Sequence, residues 1–146
     1  MAIPTALDTL IELATTATDD AAKRLGRATR VAEEARSKLA MLAQYHEDYA
    51  ARFQASLMAG LSPMGYRNFQ SFMGKLDTAI GGQQQIVADA DRRILDERKA
   101  WQESERKRMS YDTLATRAQN IALHKESKRE QKTTDEQAAR LLFYKR

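Results

Sequence analysis

Apolar residues in the first part of the chain recur every seven positions. One set is Ile11, Thr18, Leu25, Ala32, Leu39, His46 and Phe53; a second is Leu7, Ala14, Ala21, Ala28, Ala35, Leu42 and Tyr49. The two sets interleave at spacings of three and four without a skip over about six heptads, which marks one stripe of a long helix made to pack against another helix. The pattern resumes downstream with Tyr66, Met73, Ile80, Val87, Ile94 and Trp101, joined by Phe69, Leu76, Gln83 and Ala90. Beyond Trp101 the apolar stripe is expected to drift to Tyr111, Leu114, Ala118 and Ile121, as a 3.6-residue helix drifts from a seven-residue repeat.

The two prolines, Pro4 and Pro63, bracket these patterns. A proline inside a helix removes a hydrogen bond and clashes with the preceding turn, so the stretches after each are free to run as long helices. Between them Gly60 suits a left-handed helix terminator, Ser62 an N-cap and Pro63 the first helical position. A tight reversal there makes the helices antiparallel neighbours. Folding at that turn sets Tyr49 against Met73, Leu42 against Ile80, Ala35 against Val87, Ala28 against Ile94 and Ala21 against Trp101, with large opposite small through the alanine stretch. The expected fold is all-α: a long antiparallel two-helix coiled coil, or helical hairpin, with an overhanging C-terminal helix. It forms one elongated domain over residues 1–146, with helix one about 4–59, the turn 60–62 and helix two about 63–140. Surface pairs Asp20 with Arg24 and Glu34 with Lys38 are spaced to support helix one.

Helix one runs out opposite about Ala118, so Gln119 onward has no partner in this chain. At ~1.5 Å per residue that segment would project about 40 Å if helical. Its middle, His124 to Lys132, is polar on all sides and is expected to fray until something binds it. Ala138, Leu141, Leu142 and Phe143 then restore an apolar face. The net charge of +4 is uneven: residues 105–146 hold eleven Lys and Arg against six Asp and Glu, the remainder thirteen against fourteen. Such a basic end suits an acidic protein surface, nucleic acid or anionic lipid, or is simply a solvated helix. There is no cysteine, which removes disulfide and thiolate chemistry and fits a reducing cytosol. No secretory signal and no apolar run of membrane-spanning length are expected.

Nothing in the pattern suggests catalysis, a metal or a cofactor. His46 lies on the seam and reads as a satisfied boundary histidine, and His124 is far from it. Gly81-Gly82 sits inside helix two, either as a local hinge or as a tolerated weak spot costing about 2 kcal/mol of helix propensity. The aromatic cluster near the turn is more informative. Tyr45, Tyr49, Phe53, Tyr66, Phe69, Phe72, Met73 and Leu76 offer more apolar surface than a two-helix stripe can bury, with Phe72 and Ala79 just beside the seam. Excess of that kind marks either a partner site or a locally thickened core.

Several segments, in order, resemble the FliJ family of the flagellar type III export apparatus. They are Ala6-Leu7-Asp8-Thr9-Leu10, Asp19-Asp20-Ala21-Ala22 leading to Leu25-Gly26, and Leu39-Ala40-Met41-Leu42 followed by Tyr45 and Tyr49. Asn68-Phe69-Gln70-Ser71-Phe72 follows with Leu76 and Ala79-Ile80, then Trp101, and a tail with Glu130-Gln131-Lys132, Asp135-Glu136, Ala138 and Arg140. The resemblance implies a non-catalytic coiled coil, similar to the central stalk of rotary ATPases, that needs no cofactor. It implies association with the hexameric export ATPase FliI, promoting its assembly and activity, and contacts with the export gate protein FlhA and flagellar export chaperones. It also implies a cytoplasmic protein held only peripherally at the inner membrane beneath the flagellum, with no nucleic-acid partner. The gate-facing set implied here is Phe72, Leu76 and Ala79 with Leu42, Tyr45 and Tyr49. The ring-facing contact is expected from the basic end: Arg106, Lys107, Arg108, Arg129, Lys132 and Arg140. Gly81, Gly82 and Gln83 depart from the family pattern at the edge of the gate-facing patch.

Two other readings use the same residues. A nucleic-acid-binding hairpin would rely on the basic end, although its cations are interleaved with acids and lack aromatic stacking partners. A generic coiled-coil scaffold would need only the seam.

Overall fold

The computed structural model describes residues 5–145. Helix α1 spans Ala6–Ala59 and α2 spans Pro63–Tyr144. The expected start of helix one at Pro4 lies outside the described residues. Thr5 and Asp8 cap α1 reciprocally. The Asp8 amide donates to the Thr5 hydroxyl at 3.1 Å, and the Thr5 amide donates to the Asp8 carboxylate at 3.0 Å. This capping box satisfies amide donors that the first helical turn leaves without partners. These bonds hold the Asp8 carboxyl below its ordinary value, the backbone bond from Thr5 contributing most.

The reversal uses the residues expected of it. Gly60 has a positive φ of 93°, and its amide donates to Leu57 at 3.3 Å. The Ser62 hydroxyl accepts from the Gly65 amide at 3.1 Å, and Pro63 opens α2. α1 and α2 pack antiparallel as a two-helix coiled coil. Their cross-pairs run in reverse register: Arg24 with Glu97, Arg36 with Asp91, His46 with Asp77 and Tyr49 with Phe72. Arg24 therefore reaches across to α2, rather than to Asp20 on its own helix.

The chain divides into two compact units. One is Asp19–Gln102, which contains the turn; the other combines Met1–Thr18 with Glu103–Arg146. In the first, Ala21, Ala28, Ala32, Ala35, Leu76 and Ala90 are buried, with Leu25, Leu39, Leu42, Ile80, Val87, Ile94 and Trp101 half-buried between them. Polar groups on the seam find partners. Gln83 takes a half-buried position and its amide donates to the Ala35 carbonyl at 2.9 Å. The small Ala35 side chain lets it reach that backbone, and a polar residue on the seam fixes register. α2 passes through Gly81-Gly82 without a break, and a Cβ at either glycine would meet nothing within 4 Å.

In the second unit Ala14 and Thr18 are buried, and the Thr18 hydroxyl donates to the Ala14 carbonyl at 2.8 Å. Here α2 departs from the expected drift. Ser104, Arg108, Tyr111 and Ala115 are the half-buried positions that keep the three-four spacing, while Leu114, Ala118 and Ile121 are exposed. A coiled coil underwinds to keep its seam facing the partner, so the repeat holds although polar residues occupy it. Every residue from 116 to 145 is exposed. That stretch is nevertheless helical as far as Tyr144, past the expected end at about 140. It contains no glycine or proline and is rich in Ala, Gln, Lys, Glu and Arg, the strong helix formers.

Candidate partner-binding surfaces

Near the turn, seam positions on both helices carry aromatic rings. Phe53 stacks on Phe69 with centroids 4.6 Å apart and lies 5.5 Å from Tyr66; Tyr49 lies 5.9 Å from Phe69. Phe72 flanks the seam and packs on Tyr49 at 4.3 Å, and the Arg52 guanidinium lies 5.5 Å from the centre of the same Tyr49 ring. Two helices cannot enclose so many rings. Tyr45 remains 48% exposed, Phe72 41% and Tyr66 40%.

The expected gate-facing residues thus fall in two groups. Tyr45, Phe72 and Ala79 present surface to solvent. Leu76 is buried, and Leu42 and Tyr49 are half-buried in the seam, where they support the exposed group. Tyr66, expected on the seam, is turned outward, and Gly65 is the half-buried residue in its place.

The other flank carries a feature that the sequence reading did not single out. Ala50, Ala51 and Gly74 leave a groove of about 640 Å³ over Phe53, Phe69 and Met73, edged by Gln54, Gln70 and Asp77. Its signal was the run of small residues at flanking positions beside bulky seam residues. The Asp77 carboxylate is within 3.1 Å of His46 Nε2.

The six expected ring-facing cations do not form one cluster. Arg108 is half-buried and bonds Glu105 at 2.6 and 3.2 Å and Asp112 at 3.2 Å. Its hydrogen bonds hold the Glu105 carboxyl below the usual range. Arg106 and Lys107 are exposed beside it, and Lys107 borders a shallow groove with Leu10, Leu13, Ala14, Ala17 and Tyr111. Arg129, Lys132 and Arg140 are exposed on the helical extension. At ~1.5 Å per residue, Arg140 lies about 48 Å along α2 from Arg108.

Among the described residues no group of three or more His, Asp or Glu is placed to hold a metal ion, and no helix is long and apolar enough to cross a membrane. The class defined by this fold is an antiparallel two-helix coiled-coil protein, with an exposed aromatic patch by its turn and an exposed helical stretch over residues 116–144. Comparison with known proteins sharpens this. The family model described as Flagellar FliJ protein matches residues 4–146. The Flagellar FliJ protein of Escherichia coli (strain K12) is 30% identical over 140 residues, covering 96% of this chain and 95% of that protein. The Flagellar FliJ protein of Salmonella typhi matches to the same extent. The chain belongs to the FliJ family.

Proposed function

We propose that this protein is a non-catalytic component of the flagellar protein export apparatus, acting as a stalk-like coiled coil. Membership of the flagellar family across nearly the whole chain carries the reading. In this proposal the protein associates with the hexameric export ATPase FliI, promotes its assembly and activity, and links it to the export gate protein FlhA and to export chaperones. It works on the cytoplasmic side of the inner membrane, held there only through its partners.

The exposed aromatic patch supports the gate contact. Tyr45, Phe72 and Ala79 would meet the gate directly, while Leu76, Leu42 and Tyr49 hold the rings in place. The basic positions Arg106, Lys107, Arg129, Lys132 and Arg140 supply charge for the ring contact, and Arg108 anchors the local ion-pair cluster.

The test is ATP hydrolysis by the cognate export ATPase, with and without this protein, across ATPase concentrations. Stimulation is expected to be strongest where the ring is only partly assembled. No stimulation and no co-migration would overturn the reading. Binding to the gate is measured in parallel with Phe72→Ala, which should weaken it while leaving ATPase stimulation intact.

A further inference from the structure

The two flanks of the seam in Asp19–Gln102 differ in chemistry. One bears the Arg36–Asp91 ion pair with Gln70 and Asp77. The other carries Val31, Tyr45, Phe72 and Ile86, each between 41% and 55% exposed, together with Arg24 and Arg93. Along this second flank the helices leave a groove of about 370 Å³ lined by Arg24, Arg27, Ala28, Val31, Ala90, Arg93 and Glu97. Its floor is apolar, because Ala28 and Ala90 are too small to fill the space between the helices and Val31 borders it. Its walls are three arginines.

The charges do not balance. The one carboxylate in the groove, Glu97, lies 3.2 Å from Arg24 Nε and 3.3 Å from Arg93 Nε. One acid thus serves two guanidiniums, and Arg27 has no ion pair among the described residues. Each guanidinium offers five N–H donors in a fixed fork suited to carboxylates, and Arg24 and Arg93, 45% and 71% exposed, keep most of theirs facing solvent. Phosphates alone would leave the apolar floor unmatched and would meet Glu97. A ligand that fits both floor and walls bears an aliphatic side chain flanked by carboxylates. Helical spacing of three and four residues places such groups on one face.

We propose that this groove docks an acidic amphipathic helix of a partner protein, which adds a third helix to the coiled coil. Its aliphatic anchor sits over Ala28, Val31 and Ala90, and its carboxylates bind Arg24, Arg27 and Arg93. The site shares no residue with the aromatic patch at the turn or with the basic extension. It does not depend on the export reading above.

The probe is a fluorescein-labelled synthetic helix with Leu at its a and d positions and Glu on the flanking ones. A matched peptide with Lys for Glu and a single-stranded DNA oligonucleotide serve as comparators. Fluorescence anisotropy on the full chain should show saturable binding of the Glu peptide only. Arg27→Glu and Val31→Ser should each weaken it by about tenfold, whereas Lys99→Glu, an equal charge change outside the groove, should leave it unchanged. Thermal melts of each variant, unchanged from the parent, tie these losses to the site. No saturable binding would overturn the proposal. So would equal losses in Arg27→Glu and Lys99→Glu, full binding by Val31→Ser, or comparable binding of the oligonucleotide or the Lys peptide.

Discussion

The alanine stretch and the aromatic cluster lie on the same seam, and they use it in opposite ways. Ala21 and Ala32 are completely buried, while no large side chain among the described residues is. Near the turn, rings pack on one another with centroids 4.3–5.9 Å apart yet stay partly in water. Both outcomes follow from width. A two-helix seam encloses a methyl group, but it covers only one side of a phenyl ring. Small residues therefore serve close approach, and large ones become surface. In this protein a bulky seam residue both packs and presents surface to solvent, whereas an alanine only packs.

The strongest way to break this contrast is Leu76→Ala. Leu76 is the one large side chain near the turn that is buried, so its truncation should cost about 2–3 kcal/mol in urea unfolding. Phe72→Ala, which removes a half-exposed ring, should cost clearly less; equal costs would show that the exposed rings are core. Next in size is Ala32→Leu. Ala32 is fully buried, and the added volume should destabilise by about 1–3 kcal/mol by the same measurement. A neutral result would mean that the alanine section has spare room.

A gain is expected from Gly81→Ala and Gly82→Ala, about 1 kcal/mol each, because α2 is regular there and a Cβ meets open space. A lowered melting temperature would instead reveal a need for glycine at this point. The smallest effect concerns pH. The folded-state carboxyl of Asp8 lies below its ordinary value of 3.8 because of the Thr5 hydrogen bonds. Its capping contribution is therefore complete above that value and fades as pH falls through the lower folded one. Protection factors of the first-turn amides of α1, which divide out the intrinsic pH dependence of exchange, should fall on such acidification, and Asp8→Asn should flatten the response.

How much of this was legible depended on whether a position spoke through hydrophobicity. The α1 seam was, since Leu, Ala and aromatic residues hold its spacing. The turn was too, because Gly60, Ser62 and Pro63 each answer a specific backbone need. The α2 seam past Trp101 was not, because Ser104 and Arg108 occupy it, and the visible apolar residues Leu114 and Ile121 point elsewhere. Continuing the three-four count would have found it. The Thr5–Asp8 cap was readable as a threonine with an acid three residues on. The 640 Å³ groove left a trace in the small flanking residues Ala50, Ala51 and Gly74, whereas the Arg24–Glu97–Arg93 arrangement did not, since it depends on which residues of the opposite helix stand beside it. In the aromatic patch the side of the seam was legible for Phe72, but the depth of Leu76 was decided by packing.

The alternation of threes and fours, unbroken along the α1 seam and from Phe69 to Ala115 in α2, sets a rule for chain length. Deleting one residue from either helix turns everything beyond it by about 100° and carries the far seam positions away from their partners. Removing one heptad from α1 together with the heptad facing it in α2 would keep every flank in place. The paired section can therefore change length only in whole steps, taken by both helices at once.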